Sequence, residues 1–197
     1  MDFGTQVPEL LRQHPSVRSV SLAGSRARGT PTALSDWDFA VETDDLDALA
    51  GALPDLVAPL EPLARQWDPF GEHPNYMLML RGPTKIDLIF VHEPMRPRPP
   101  WRVGADTLAA VDAHFWDWIL WLAAKRAGGR DELVREELGK MQRYLLGPLG
   151  VAAEPRTIEH AVADYSSALD EAERRFGVRV PQALRDEVLP AILPRST

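Results

Sequence analysis

The chain of 197 residues contains no cysteine. Disulfides, thiolate nucleophiles and Cys-based zinc or iron–sulfur sites are therefore excluded, and the composition suits a reducing compartment. No run approaches the roughly 18 uninterrupted apolar residues a membrane helix needs, so no membrane span is expected. The opening Met1-Asp2-Phe3-Gly4-Thr5 lacks the basic and apolar regions of a secretion signal. Both observations point to a cytoplasmic protein. Basic charge is scarce as well: 22 Lys and Arg face 29 Asp and Glu, a net charge of −7. Bulk nucleic-acid binding needs a basic footprint and is not expected. Lysine itself is nearly absent, with Lys85, Lys125 and Lys140 the only three, so each is a position to inspect. The five histidines, His14, His73, His92, His114 and His160, show no metal-ligand spacing and read as surface or satisfied core residues.

What is present is an ordinary globular composition, 45% apolar and 26% charged, long enough to bury a core without staples. The run Glu93-Pro94-Met95-Arg96-Pro97-Arg98-Pro99-Pro100 can continue neither a helix nor a central strand. It predicts a boundary: a first domain over 1–95, a proline-rich linker over 96–104 and a second domain over 105–197. The first domain reads as mixed α/β. Helices are predicted over 7–13 and 45–57, and strands over 18–23, 36–42, 76–80 and 85–91, with Arg81-Gly82-Pro83-Thr84 as a hairpin turn. The second reads as four helices, over 106–126, 131–146, 157–176 and 181–193, joined by short loops, which suggests an up-and-down bundle. The fold expected is therefore α+β: a small mixed sheet flanked by helices, then a helical bundle.

Chemistry concentrates in Ala23-Gly24-Ser25-Arg26-Ala27-Arg28-Gly29, the loop to Ser35, and Asp36-Trp37-Asp38. It reads as strand, glycine turn, short helical turn, loop, strand. Gly24 allows a close backbone approach, Ser25 supplies a hydroxyl, and the N–H groups that follow suit phosphate oxygens. Asp36 and Asp38 alternate along a strand and share one face, with Trp37 and Phe39 on the other. Two carboxylates projecting together repel unless a cation lies between them, and Mg²⁺ prefers such oxygen ligands. A third acid, Asp87, interrupts the apolar pattern Ile86-Asp87-Leu88-Ile89-Phe90-Val91. A carboxylate there is costly unless a shared metal or a salt bridge compensates it. Trp116, Trp118 and Trp121 read mainly as packing residues. The run Glu42, Asp44, Asp45, Asp47 reads as a solvated helix start that could also attract a cation.

Gly24-Ser25, ten residues, then Asp36-x-Asp38, with Asp87 on a later strand, resembles the signature of the polymerase-β-like nucleotidyltransferase superfamily. The size and the C-terminal helices are similar to the antibiotic nucleotidyltransferases, including the kanamycin type. Glu136-Glu137-Leu138-Gly139-Lys140 is similar to a helix of that type in which a Glu acts as base and a Lys meets the triphosphate. The resemblance implies transfer of a nucleoside monophosphate from ATP or another NTP to an acceptor hydroxyl, with release of pyrophosphate. It implies Asp36, Asp38 and Asp87 on Mg²⁺, Asp87 or Glu136 as general base, and Gly24, Ser25, Arg28 and Lys140 on the nucleotide's phosphates. The helical domain is then expected to close one side of the cleft. Acidity suits a cationic, aminoglycoside-like small-molecule acceptor. Two alternatives stay open: an antitoxin-like adenylyltransferase acting on a partner protein, and a non-catalytic nucleotide-binding module. Glu136 and Lys140 are also spaced as a helix-stabilising i,i+4 pair.

Overall fold

A computed structural model describes residues 2–71, 73–94 and 100–193. The chain forms two compact units, Met1–Pro97 and Arg98–Thr197. Of the predicted linker, 96–99 lies outside the described residues. Trp101, within the linker, is tied into the second unit through its backbone N–H, which donates to the Tyr144 carbonyl at 3.0 Å.

The first unit begins with α1 (Phe3–Leu11), which starts earlier than its apolar spacing suggests because the Asp2 side chain accepts from the Gly4 N–H and caps it. β1 (Val17–Leu22), the single turn α2 (Gly24–Ala27), β2 (Trp37–Thr43) and α3 (Leu46–Leu56) follow. The acidic run before α3 is structural. Asp45 caps the helix through the Ala48 N–H at 2.9 Å, Asp44 pairs with Arg18, and Glu42 accepts from the Ser19 hydroxyl at 2.9 Å. β3 (Ala64–Trp67), β4 (Asn75–Leu80) and β5 (Thr84–Phe90) complete the sheet, in the order β1-β2-β5-β4-β3. Of these four pairings, β2 with β5 is parallel and the other three are antiparallel. β3 is absent from the sequence reading. Its four residues sit at the sheet edge, too short to show alternation, and are held by pairing with β4 and by the Trp67–Tyr76 ring contact at 5.2 Å.

One sheet face is the core. Phe39 and Val41 of β2, Ile86, Leu88 and Phe90 of β5, and Leu78 and Leu80 of β4 pack with Val7 and Leu11 of α1 and Leu49 and Leu53 of α3. Strand alternation sends the intervening residues of β2 and β5 to the opposite face.

The second unit is helical. α4 (Leu108–Ala127) packs against α5 (Asp131–Met141), α6 (Ile158–Phe176) and α7 (Ala183–Ile192). Residues from Val111 to Leu120 are buried on nearly every side, as a central helix requires. Trp116 and Trp118 serve that packing, whereas Trp121 is half-exposed beneath Lys125. His114, one of the two readings offered for histidine, is a core residue in ring contact with Trp101 and Trp118. The predicted helix 131–146 is not uniform: beyond Met141 it widens into a π-turn over Gln142–Leu146, closed by the Gly147 N–H donating to the Gln142 carbonyl at 2.8 Å.

Candidate active site

The parallel pairing of β2 with β5 places Asp38 directly beside Asp87. Parallel neighbours in register project to the same face, and Asp36 lies two residues before Asp38 on that face. Carboxylate oxygens of Asp36, Asp38 and Asp87 lie within 4.8 Å of one another. Asp36 and Asp87 are buried and Asp38 half-buried. A sheet core on one side and a carboxylate cluster on the other is the outcome of one alternating pattern, Trp37-Phe39 against Asp36-Asp38.

The glycine turn abuts these acids. Gly24 has φ +61°, and a β-carbon placed on it would stand 1.7 Å from Asp38 Oδ2 and 2.7 Å from its Cγ. Glycine is thus demanded twice, by the backbone angle and by the carboxylate. The hydroxyl of Ser25, the next residue, is buried and has no hydrogen-bond partner among the described residues.

Two side chains that the sequence reading did not assign to the site hold Asp87. Asn75 Nδ2 donates to Asp87 Oδ1 at 2.9 Å, and Lys85 Nζ lies 3.3 Å from Oδ2. Lys85 is 8% exposed. Its spacing, two residues before Asp87 on β5, was the available signal, since i and i+2 of a strand share a face. Burial pushes the Asp87 carboxyl above the ordinary carboxylate range; Lys85 and Asn75 oppose that, and Asp36 adds to it. Asn75 Oδ1 is also buried and without a partner among the described residues.

Arg26 is the third residue that sequence reasoning passed over. Its guanidinium donates to the Asp36 carbonyl at 2.8 Å and the Ser35 carbonyl at 2.7 Å, and lies 4.1 Å from the centre of the Trp37 ring. It therefore fixes the approach to β2, and Asp36 with it. Arg28, the phosphate candidate, is exposed at the C-cap of α2.

The acids fit a divalent cation. Three carboxylates gathered within 4.8 Å of one another in a partly buried place repel unless a cation lies among them. The donor set is all oxygen, the chemistry that Mg²⁺ prefers. The unpartnered Ser25 hydroxyl and Asn75 carbonyl add polar atoms that an apolar core would not leave open.

Glu136 and Lys140 belong to α5 in the second unit. Glu136 is exposed. Lys140 pairs with Glu137, at 2.5 Å, and Glu137 also accepts from Trp118 Nε1 at 3.1 Å. The acid that meets the lysine is thus its i,i−3 neighbour.

No protein-family model matches the chain, and no curated protein matches it. Among solved structures the chain is similar to an aminoglycoside 6-adenyltransferase from Bacillus subtilis, with 12% identity over 92% of this chain and 94% of that one and a TM-score of 0.31. Likeness at that distance leaves the chemistry to be argued from the acids and the glycine turn themselves.

Proposed function

We propose that the chain is a metal-dependent nucleotidyltransferase, moving a nucleoside monophosphate from ATP or another nucleoside triphosphate to an acceptor hydroxyl. The observation that carries this reading is the meeting of three carboxylates on one sheet face beside a glycine that has no room for a β-carbon. The same arrangement gives physical content to the signature Gly24-Ser25…Asp36-x-Asp38.

Asp36, Asp38 and Asp87 would hold Mg²⁺, which when bound would neutralise the triphosphate and polarise the α-phosphoryl group. Gly24 keeps the turn close against Asp38, and the Ser25 hydroxyl donates to a phosphate oxygen. Lys85 and Asn75 orient Asp87. In transfer, the acceptor oxygen forms a bond to the α-phosphorus while the bond from that phosphorus to the β-phosphate oxygen breaks. Pyrophosphate leaves, and the hydroxyl proton passes to a carboxylate. Asp87 is the base candidate within the acid cluster; Glu136 is the candidate on α5. Arg28 and Lys140 are assigned to the phosphates on the motif resemblance. The acceptor is proposed to be a small hydroxyl-bearing cation; a partner protein is the alternative acceptor.

The test is pyrophosphate release with Mg²⁺ and each NTP, against a panel of aminoglycosides, lincosamides and co-purifying proteins. Release is expected with one acceptor class. Asp38→Asn should lower it by about 10²-fold or more, since even partners behind a metal ligand contribute about 10–100-fold. Loss of the base costs about 10²–10⁴-fold, so comparing Asp87→Asn with Glu136→Gln assigns it. Nucleotide binding that is insensitive to Mg²⁺ and to Asp38→Asn would sink the reading.

A further inference from the structure

The helical unit contains a cavity of about 380 Å³ whose walls come from α4, α6, α7 and the segment between the last two. That volume lies toward the small end of ligand pockets. Asp112 stands in its wall and is 4% exposed. One of its oxygens, Oδ1, takes both neighbouring donors: the Tyr165 hydroxyl at 2.6 Å and Trp116 Nε1 at 3.1 Å. Among the described residues no donor reaches Oδ2. In the wall of a cavity, a carboxylate oxygen that no protein donor reaches is left to water or to a ligand's donor.

Charge around the cavity does not compensate it. Three carboxylates, Asp112, Asp170 and Glu173, face two guanidinium groups, Arg179 and Arg185. Arg179 is committed to Glu173 at 2.5 Å, and the second Glu173 oxygen accepts from the Val180 N–H at 2.8 Å. Arg185 is exposed and lies close enough to offset only part of the unfavourable field at Asp112. The apolar remainder of the lining is Trp116, Tyr165, Leu169 and Val180, and the Tyr165 ring is held by stacking on Phe115 with centroids 3.6 Å apart. Burial pushes the Asp112 carboxyl up to about 6, which marks an anion short of stabilising partners.

We propose that this cavity binds a small organic ammonium compound, its N–H group donating to Asp112 Oδ2 and its carbon body lying against Trp116, Tyr165 and Leu169. An ammonium supplies both missing features, a donor and a positive charge, and aromatic faces accept cations. An anionic ligand would meet the carboxylate excess. Occupancy is independent of whether the acids of the sheet transfer a nucleotide.

Calorimetric titration of the full chain tests this with two probes of one shape, cyclohexylammonium chloride and cyclohexanol, at about pH 8, above the Asp112 pKa. The amine is expected to bind at least about 10-fold more tightly, the equivalent of one hydrogen bond to a charged group. Asp112→Asn keeps an acceptor for Tyr165 and Trp116 and should erase the difference between the probes. Asp170→Lys, an exposed change that spares the core, should weaken the amine several-fold and leave the alcohol unchanged. Equal affinities for amine and alcohol, no heat from the amine up to about 10 mM, or amine binding unaffected by Asp112→Asn would each overturn the proposal.

Discussion

Gly24 and Gly29 flank the same short turn and both have positive φ, +61° and +71°, yet they carry different constraints. A β-carbon at Gly29 meets nothing within 4 Å; at Gly24 it collides with the Asp38 carboxylate. Either alanine substitution should cost about 1–2 kcal/mol for the left-handed backbone. Only Gly24→Ala must also move Asp38. We expect Gly29→Ala to keep its turnover and Gly24→Ala to fall to the level of Asp38→Asn, with Gly24→Ala losing the more thermal stability of the two because of the added clash. Turnover and midpoint measured side by side decide it: wild-type activity in Gly24→Ala would make the glycine a turn residue and nothing more. The close approach that glycine permits here is first to an acid, and only through that acid to a ligand.

At the scale of elements, α4 and α6 meet through Asp112 and Tyr165, and that contact sets a pH dependence. The Asp112 carboxyl is raised to about 6 by burial, against the Tyr165 hydroxyl and Trp116 indole that favour its charged form. Tyr165 is in turn pushed well above its ordinary range by burial and by Asp112. A carboxyl whose folded pKa exceeds its unfolded value binds more protons folded than unfolded in the interval between them. Its contribution is therefore most favourable below about pH 4, declines as pH rises to about 6, and stays at its least favourable above that. The span is on the order of 3 kcal/mol. Asp112→Asn removes this term while retaining the acceptor. The difference in denaturation free energy, variant minus wild type, should rise by that order between about pH 4 and pH 7; a difference flat with pH would show that the folded carboxyl titrates normally.

For the molecule as a whole, the acid cluster and the nucleotide should depend on each other, because each alone adds negative charge that the metal must balance. Mg²⁺ with ATP at about a hundred times its Kd would stabilise the chain by about 2.7 kcal/mol. At about 2–4 °C per kcal/mol for a protein of this length, the midpoint should rise by about 5–11 °C. If the unit Met1–Pro97 unfolds by itself, the smaller transition moves further, by about 4–8 °C per kcal/mol. ATP without Mg²⁺ should give little shift. In Asp38→Ala the shift should vanish, although the unliganded variant is expected to melt above wild type, because one of three crowded carboxylates has gone. A shift equal with and without the metal speaks against the assignment of the acids.

Several features follow from local order alone. Alternation placed Asp36 and Asp38 on one face of β2 and Trp37 and Phe39 on the other; Thr157 starting a helix and Gly177 ending it could be read without neighbours, because caps and alternation depend on residues a few positions apart. Asp87, some fifty residues further on, stood out as the acid that interrupts an apolar strand pattern, but its partners were another matter. Register put Asp38 beside Asp87 and set Asn75 against one of its oxygens, whereas Lys85, two residues before Asp87 on the same strand, meets it through alternation alone. Strand pairing joins residues distant in sequence, and no periodicity encodes which strand lies next to which. The edge strand β3 exists only because β4 offers it a partner, and Lys140 pairs with Glu137, three residues before it, because side-chain packing chooses among nearly equal spacings. The cavity around Asp112 was beyond sequence reading for the same reason: its walls come from three helices, and a space between elements is a property of their packing.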